Sequence, residues 1–598
     1  MNHSEDYFIK HTFTRFLGPT ILALLGTTFS SFGNTLLAGR FLGKEALSAM
    51  SLMSSFTFLY AMLGCLISIG AATRSSICIG CHDFETAAKY EWLSLVLSLA
   101  VPILISIPCL IGFKGLFTWL GGDEGAYAIG AGYGRLVIAF GFLNTLMYFP
   151  YNFLRLIGKG RYGMYCFGSM GIIDVILVYI FLKADMGPVG IALGFILSML
   201  IANGAGLYFL LAKNALFHIM KPEMSMMWPM IRNIFVFGSS AGLNNLCKML
   251  RTVALNRIVS IHLGRDGLAA LAVGFSVINL ASSSVTGFGQ AISPIIGVLH
   301  GERDRKGQRQ TVRISIINAL AFHAIVALVI VIFAPAIATF FGITGRTHVA
   351  ETALLVRLVG ISLIPSAVIN ILIYYYSAIG QNRCARIMTV MHVLVFTAAL
   401  AAVHLSFDES NWYGLSFIFA ELLDIPVMIL YSMIRRKRRP DLTGVLLEEK
   451  SYSEKFFMTV SDGTEEGAVK TSGEVVTFCE ENDVDPALCM KLPLVVEELL
   501  VVLARHCATD QSFRIDVRIS LVEDEVVMRL RCHGLAFNPI EWFRDRKAKL
   551  SMEEFMEDES FGMNVVDKLV SNVKYSNVFD MNNLIVSMKK AERTVKNA

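Results

Sequence analysis

The sequence predicts an all-α membrane protein with twelve transmembrane helices in two pseudo-symmetric lobes of six, followed by a soluble C-terminal α/β domain of two layers. Three observations predict this fold class. The mean hydropathy of the 598 residues is +0.57, and 17% of them are charged, against roughly 25% in soluble proteins. Apolar stretches long enough to cross a ~30 Å hydrocarbon layer recur up to Pro440. Beyond Pro440 charged residues become frequent and the apolar runs shorten.

Twelve apolar segments, separated by polar breaks, each predict one membrane span. They lie at 17–39, 47–72, 92–113, 126–150, 163–182, 188–212, 229–262, 268–298, 313–341, 350–378, 385–405 and 412–434. The seventh and eighth are long enough to tilt or to extend into solvent. No cleavage motif follows the first segment, so we expect a retained helix and not a signal peptide.

Basic residues are concentrated in alternate loops and just after the last span, where 435–439 reads Arg-Arg-Lys-Arg-Arg. The other members of this set are Arg155, Lys159, Arg161, Lys213, Lys221, Arg232, Arg303, Arg305, Lys306, Arg309, Arg383 and Arg386. Because cytoplasmic loops carry the excess of Lys and Arg, both termini are predicted to be cytoplasmic. An even number of spans agrees with this, and we expect the plasma membrane as the location.

The membrane part is an internal duplication with lobes at about 1–220 and 221–440. The segment 41–49 returns as 262–270, Gly80 returns as Gly301 and Asp83 as Asp304, all with an offset of 221, and 157–161 returns as 379–383. Six helices per repeat keep the two lobes parallel, related by an axis along the membrane normal. Two facing bundles with a cavity between them favour a transporter with alternating access over a pore.

The C-terminal part divides into a linker at 441–453 and a domain at 454–598. Period-2 and period-3.6 patterns predict its elements in chain order. They are a strand at 455–460, helices at 473–481 and 486–507, strands at 513–522 and 526–532, an acidic loop, a helix at 563–572, and strands at 573–578 and 583–589.

Several short motifs in the membrane part resemble the multidrug and toxic compound extrusion (MATE) family. They are Gly39–Gly43, Phe153–Lys159, Gly289–Pro294 with Gly301 and Glu302, Tyr375–Gly380, and Ala420 with Glu421. The resemblance implies twelve helices in two lobes, and export of small organic substrates, including cations, driven by inward flow of Na⁺ or H⁺. It implies a transporter in a lipid bilayer and not an enzyme.

The resemblance also points to a cation site, from which this sequence departs. The family often has an Asp in the first helix, Asn-x-x-x-Asp in the fifth and a Thr in the sixth; the matching positions here are Asn34, Asp174, Val178 and Phe195. A Na⁺ site needs several oxygen ligands, which Val178 and Phe195 lack. We therefore expect Asp174, with Asn34 as its hydrogen-bond partner, to carry H⁺. The alternative is that Asp174 only caps or pairs within the bundle, but an acid inside the membrane is functional by default.

Four charges lie near the membrane midplane in the second lobe. Lys248 and Arg251 share one face of the seventh span, and Glu421 and Asp424 share one face of the twelfth. An unpaired charge at this depth costs at least ~3 kcal/mol, so we expect these residues to pair or to line a wet cavity. Two interpretations remain: a static ion pair that stabilises the lobe, and a switch whose ion pair breaks when a proton or an anionic substrate arrives.

The C-terminal domain resembles the histidine-kinase-like ATPase superfamily, and within it the anti-sigma-factor serine kinases. Glu498, Val502 and His506 match the ExxxNxxxH helix, Cys532 and Gly534 match the DxGxxFxP turn, and Gly562 matches the GxGLxxL phosphate turn. Val502 replaces the Asn that holds Mg²⁺, and Cys532 replaces the Asp that reads adenine. The resemblance therefore implies a kept fold without ATP chemistry or cofactor: a binding or regulatory module with a cytoplasmic protein partner.

Three alternatives stay open: a lipid-linked glycan flippase of the same superfamily, a membrane-tethered signalling protein, and an active ATPase. The first would need more cavity-facing cations than Lys248 and Arg251, and the last is disfavoured by Val502 and Cys532. Cys78 and Cys81 form a CxxC without a second pair, so no metal site is predicted. Nothing in the sequence indicates a nucleic-acid partner.

Overall fold

The computed structural model describes residues 7–589 apart from 82, 120–123, 158, 212–219, 302–303, 342, 344, 450–455, 483, 510–512, 522–524, 552–553, 555, 557, 559 and 579–580. The chain forms two compact units, one of residues 9–448 and one of residues 449–598 with 1–8. Lys213 and Arg303 of the predicted basic loops, Glu302 of the family motifs and 450–453 of the linker lie outside the described residues.

The first unit is helical up to Arg438. Its α-helices are α1 (Tyr7–Gly64), α2 (Gly70–Gly80), α3 (Phe84–Ile111), α4 (Phe113–Trp119), α5 (Glu124–Ala139), α6 (Gly141–Leu156), α7 (Gly160–Gly163), α8 (Ser169–Lys183), α9 (Gly187–Leu211), α10 (Met224–Gly301), α11 (Arg305–Phe340), α12 (Arg346–Ala378), α13 (Asn382–Val390), α14 (Thr397–Phe407) and α15 (Leu415–Arg438). Short π-helical turns at Cys65–Ile69, Met164–Gly168 and Met391–Phe396 continue one helix into the next.

Within the described residues, nine helices are long and apolar enough to cross a membrane, or ten if the bent pair Gly130–Ala139 and Gly141–Leu156 is one span. The other two predicted spans are helical, but their helices are not both long enough and apolar enough to cross a membrane. The first holds the shorter apolar stretch Leu17–Ser31. The seventh is the charged first part of α10, which breaks at Gly264 with a φ of 59°. The chain is a multi-pass membrane protein, and the count of twelve spans stays a prediction.

The internal repeat is visible in how the helices begin and meet. Asp83 and Asp304, which the repeat pairs, both cap the helix that follows them by accepting a backbone N–H three residues on. A Cβ added to Gly301 would lie 2.2 Å from the Ile77 carbonyl oxygen and 2.9 Å from the Cα of Gly80. The two repeat-related glycines therefore touch each other where α2 meets α10, which is close backbone packing of the kind that small residues allow in membrane helices.

The start of the predicted linker is structured and belongs to the first unit. Strands β1 (Leu442–Thr443) and β2 (Glu448–Glu449) form a two-stranded sheet. Arg309 of α11 donates from Nε to both carboxylate oxygens of Glu448, at 2.8 and 2.9 Å. The hydroxyl groups of Tyr375 and Tyr376 at the end of α12 donate to the carbonyls of Leu446 and Val445, at 3.2 and 2.8 Å. We call residues 442–448 the docked turn.

The second unit contains a five-stranded antiparallel sheet in the order β3-β4-β5-β7-β6. Its strands are β3 (Phe456–Ser461), β4 (Ile515–Leu521), β5 (Glu525–His533), β6 (Asn572–Val578) and β7 (Met581–Lys589), and its helices are α16 (Glu465–Glu481), α17 (Pro486–Cys507), α18 (Pro539–Lys549) and α19 (Phe561–Leu569). Helix α18 lies within the region predicted to be an acidic loop, so that prediction was wrong for residues 539–549. Asn538 caps this helix and Pro539 fills its first turn, two start signals that the prediction missed.

One face of this sheet and the apolar stripe of α17 form one hydrophobic core. Alternate residues of β4, β5 and β7 are buried in it: Ile515, Val517, Ile519, Val526, Met528, Leu530, Leu584, Val586 and Met588. From α17 it takes Leu492, Val495, Val496, Leu499 and Leu503, which recur every three or four residues and so share one helix face. Glu498 and His506 of the same helix are only partly buried, and they lie one turn before and one turn after the buried Val502.

Candidate functional site

The Asp174 site depends on a close crossing of α1 and α8. A Cβ on Gly171 would lie 2.0 Å from the Gly26 carbonyl oxygen, and a Cβ on Gly33 would lie 2.3 Å from a methyl group of Val175. Only glycine fits at such distances, so the two backbones approach closely. The polar positions that follow these glycines along each helix are thereby brought opposite each other.

Asp174 is fully buried at this crossing. The Asn34 amide donates to its Oδ2 at 2.8 Å, and the Ser30 hydroxyl donates to the same oxygen. Neither Oδ1 of Asp174 nor Oδ1 of Asn34 has a hydrogen-bond partner among the described residues. A carboxyl group with one oxygen held and one oxygen open can gain and lose a proton without rebuilding its surroundings.

The structure therefore brings Asn34 and Asp174 together, as the proton hypothesis requires, and adds Ser30. The sequence contained a signal for Ser30, because it lies four residues before Asn34 and so on the same helix face. Val178 is fully buried among apolar side chains one turn beyond Asp174. Phe195 borders a different small cavity, with Tyr60 and Asn144.

In the second lobe the acids contact a histidine and not the predicted cations. His392 Nδ1 lies 3.2 Å from Asp424 Oδ2, and His392 Nε2 lies 3.9 Å from Glu421 Oε2. All three side chains are nearly or fully buried. His392 was missed because it is about thirty residues away in sequence and lies in the π-helical turn Met391–Phe396, which shifts the side-chain register that an ideal helix predicts.

The predicted direct ion pair of Lys248 or Arg251 with Glu421 or Asp424 is absent from the described structure, where the cations lie farther away than contact distance. Arg251 packs its guanidinium 5.7 Å from the ring centres of both Phe275 and Phe417. Its Nε is buried without a hydrogen-bond partner. The aromatic rings, which attract cations through their π faces, take the place expected for the carboxylates.

Arg155 was counted among the basic residues of the loops, but the structure places it between the two lobes. It is 4% exposed, its Nη1 donates to the Gln290 carbonyl at 3.2 Å, and it stacks 4.4 Å from the Tyr151 ring centre. With Gln290 and Tyr374 it borders a small cavity that has room for about one water molecule. Arg155 therefore joins the lobes and does not lie in a solvated loop.

In the second unit the structure brings some of the predicted nucleotide-site positions together. A Cβ on Gly562 would lie 1.9 Å from Oε2 of Glu498. Glu498, from the ExxxNxxxH-like helix, therefore contacts Gly562, from the turn that resembles the phosphate turn. The His506 ring stacks on Phe537 with ring centres 4.3 Å apart and meets Trp542 edge-on at 4.7 Å. Val502 is buried on the same helix.

Cys532 is fully buried beside Cys507, the residue that follows His506. The hydrogen bond with Cys507 and burial raise the pKa of the Cys532 thiol well above its ordinary value, which keeps it neutral. Gly534 has a φ of 129°, and a Cβ there would lie 1.9 Å from the Cys507 carbonyl oxygen. Gly534 is thus required by the backbone.

A cavity of about 290 Å³ opens beside Glu498 and His506, with Trp542 as a further wall. Burial, and then the neighbouring charge of Glu497, raise the pKa of Glu498. In the part of the chain that the structure describes, no three His, Cys, Asp or Glu side chains are grouped to hold a metal ion. Cys81 of the CxxC donates to the Gly301 carbonyl at 3.4 Å, a structural contact.

Comparison with known proteins gives matches over the membrane unit. The model of the family described as MatE matches residues 19–180 and 240–403. The chain is 24% identical over 328 residues to the probable multidrug resistance protein NorM of Photorhabdus laumondii, covering 53% of this chain and 70% of that one. It is 21% identical over 439 residues to the multidrug export protein MepA of Staphylococcus aureus, covering 72% and 95%.

Solved structures match over the same region. A multidrug resistance MATE family transporter of the MOP superfamily, in an outward-facing conformation, superposes with a TM-score of 0.67 at 20% identity, covering 72% of this chain and 96% of that one. A MOP superfamily transporter from Pyrococcus furiosus superposes with a TM-score of 0.66 at the same identity and coverage. These likenesses establish the fold of the membrane unit.

Proposed function

Because the chain belongs to the MatE family, whose members are transporters and not enzymes, we propose that it exports small organic compounds in exchange for protons. The named relatives are a probable multidrug resistance protein and a multidrug export protein, which supports organic substrates. The basic cluster at 435–439 supports an orientation with both termini in the cytoplasm of a plasma-membrane protein.

Proton coupling is carried by one observation, the environment of Asp174. This buried carboxyl group has two donors, Ser30 and Asn34, on a single oxygen. Na⁺ would need several oxygen ligands, and Val178 and Phe195 stand where the family has oxygen-bearing residues. A proton needs one oxygen, and the open Oδ1 of Asp174 provides it.

The test is transport by the full chain in proteoliposomes, with an imposed pH gradient and ethidium as the cationic substrate. Asp174→Asn should reduce pH-driven transport to the level of empty liposomes, because an amide cannot carry the proton. Asp185→Asn is the matched control, since Asp185 is exposed and its φ of 54° suits Asn. Proton-driven flux in Asp174→Asn equal to the wild type would contradict the proposal, and so would strict dependence on Na⁺.

The C-terminal unit acts in this proposal as a binding or regulatory module with a histidine-kinase-like fold and no ATP chemistry. The five-stranded sheet with α17 against one face supports this resemblance. Val502 offers no oxygen to a metal ion, and Cys532 is a weak hydrogen-bond partner that does not line the cavity.

A further inference from the structure

The cavity of the C-terminal unit has the properties of a small-molecule pocket. Its volume of about 290 Å³ is close to the lower end of the usual range, roughly 300–1,000 Å³. Its walls combine apolar side chains such as Val501 and Val502 with the aromatic rings of His506 and Trp542. The stack of His506 on Phe537 holds the aromatic wall in place.

The polar groups of this pocket are predominantly carboxylates. Glu497 and Glu498 both line it, and neither has an ion-pair partner within the described chain. Arg505, the cation at the pocket, is engaged by Glu465, which accepts from its Nε at 3.1 Å. The pocket thus has an excess of two negative charges over its own cations.

A nucleotide triphosphate does not suit this charge. Its phosphates would approach Glu497 and Glu498, and Val502 stands where an oxygen would hold the metal ion that neutralises phosphates. A cation is favoured in this pocket, because both carboxylates attract it and the indole ring of Trp542 can contact it through its π face. Arg546 already lies 5.5 Å from the Trp542 ring centre, so this ring accepts a cation from the protein itself.

We propose that this pocket binds a small aromatic or quaternary organic cation in place of a nucleotide. Glu498 and Glu497 provide the counter-charge, Trp542 provides the aromatic contact, and Val501 and Val502 cover the apolar part of the ligand. The C-terminal unit then senses organic cations in the compartment that it faces. Binding at this pocket does not depend on transport, so a binding experiment tests it independently of the export function.

The experiment is calorimetric titration of the purified full chain in detergent with benzyltrimethylammonium. We expect Glu498→Gln to weaken the pocket component about tenfold or more, and Trp542→Leu and Glu497→Gln each several-fold. Glu466→Gln is the matched control, because Glu466 is an exposed carboxylate in the same helix turn as Glu465 and does not line the pocket. Any component whose affinity is the same in Glu498→Gln as in the wild type belongs to the membrane unit. Benzyl alcohol, the neutral analogue, should give no pocket component.

Each result decides the question. A component lost in Glu498→Gln and weakened in Trp542→Leu, but kept in Glu466→Gln, supports the pocket. Equal affinity in all variants overturns it, as does an equal loss in Glu466→Gln, which would indicate only surface charge. Absence of any binding to the wild type also overturns it. Micromolar binding of ATP with Mg²⁺ that Glu498→Gln abolishes would replace the cation by a nucleotide.

Discussion

Glu498 is a carboxyl group that its own fold disfavours in the charged state. Burial raises its pKa first, and the charge of Glu497 raises it further, while Arg505 acts in the opposite direction. Arg505 is itself engaged with Glu465 on α16. An ionised carboxylate that is partly buried beside a cavity is typical of a binding position. A ligand of opposite charge reduces the free-energy cost of burying that charge.

The first residue-scale prediction follows from the sign of this shift. Because the folded-state pKa of Glu498 is raised, the folded state is penalised at pH values above that pKa, and the penalty disappears below the ordinary glutamate value of about 4.3. Glu498→Gln should therefore raise the unfolding temperature of the C-terminal unit at pH 7.5, by at most about 2 °C, because solvent screens this partly exposed group. The gain should shrink as the pH falls towards 4.3.

The measurement is differential scanning calorimetry of the full chain across this pH range, with Glu466→Gln as the control that should show no pH-dependent gain. A lower unfolding temperature of Glu498→Gln at pH 7.5 would mean that the ionised carboxylate is stabilised, for example by the backbone around Gly562.

At the scale of helices, glycines decide where the membrane unit packs tightly. A Cβ on Gly238 of α10 would lie 1.7 Å from the Leu66 carbonyl oxygen, and one on Gly297 would lie 1.9 Å from the Ser76 hydroxyl. With the Gly80–Gly301 contact, these positions show that the first-lobe helix approaches both parts of α10 closely, the part before the break at Gly264 and the part after it. Backbone atoms cannot move aside as a flexible side chain can.

Gly238→Ala should consequently separate α10 from the helix at Leu66. We expect a loss of about 1–3 kcal/mol in stability, the usual cost of overpacking, together with slower transport. Gly204→Ala is the control, because Gly204 is also helical and nothing lies within 4 Å of its Cβ position; that change should be neutral or slightly stabilising. Thermal unfolding in detergent compares the two variants, and equal unfolding temperatures would contradict the proposed contact.

The docked turn gives the second prediction at this scale. Glu448 is 2% exposed in its side chain, whereas Arg309 is 62% exposed, so solvent screens the pair partly from one side. Arg309→Ala should cost about 1–3 kcal/mol, because it leaves a buried acceptor without its donor. Arg309→Ala with Glu448→Ala should cost less than the sum of the single changes. A double-mutant cycle on unfolding in detergent measures the coupling, and simple additivity would show that Glu448 finds other partners.

At the scale of the whole molecule, each of the two units has its own core. The prediction is that a chain ending after Glu449 inserts and exports substrate at a rate similar to that of the full chain, because it keeps the docked turn. A chain ending after Pro440 is the comparison; it lacks the docked turn and should unfold at a lower temperature. Loss of transport in the longer truncation would show that the C-terminal unit is needed for the transport cycle itself.

The sequence predicted much of this organisation because hydropathy is a local property. It located the nine or ten spanning helices that the described residues contain and all five strands of the C-terminal sheet, and it paired Asn34 with Asp174 through a family pattern. It failed where long-range geometry decides. His392 reaches Glu421 and Asp424 through a π-helical turn, Arg155 is buried by the approach of the other lobe, and residues 442–448 bind to α11 and α12 although their composition is typical of a linker.

The contact between Gly80 and Gly301 has a consequence for the origin of the fold. Two positions that correspond in the repeats and also touch each other must lie beside the axis that relates the repeats. In a homodimer of a single repeat, this glycine would have faced its own copy across an isologous interface. In such a homodimer, one mutation would have placed a side chain on both subunits at this contact. After duplication, the glycine of each repeat could be replaced without changing the other. The fused chain still carries glycine on both sides.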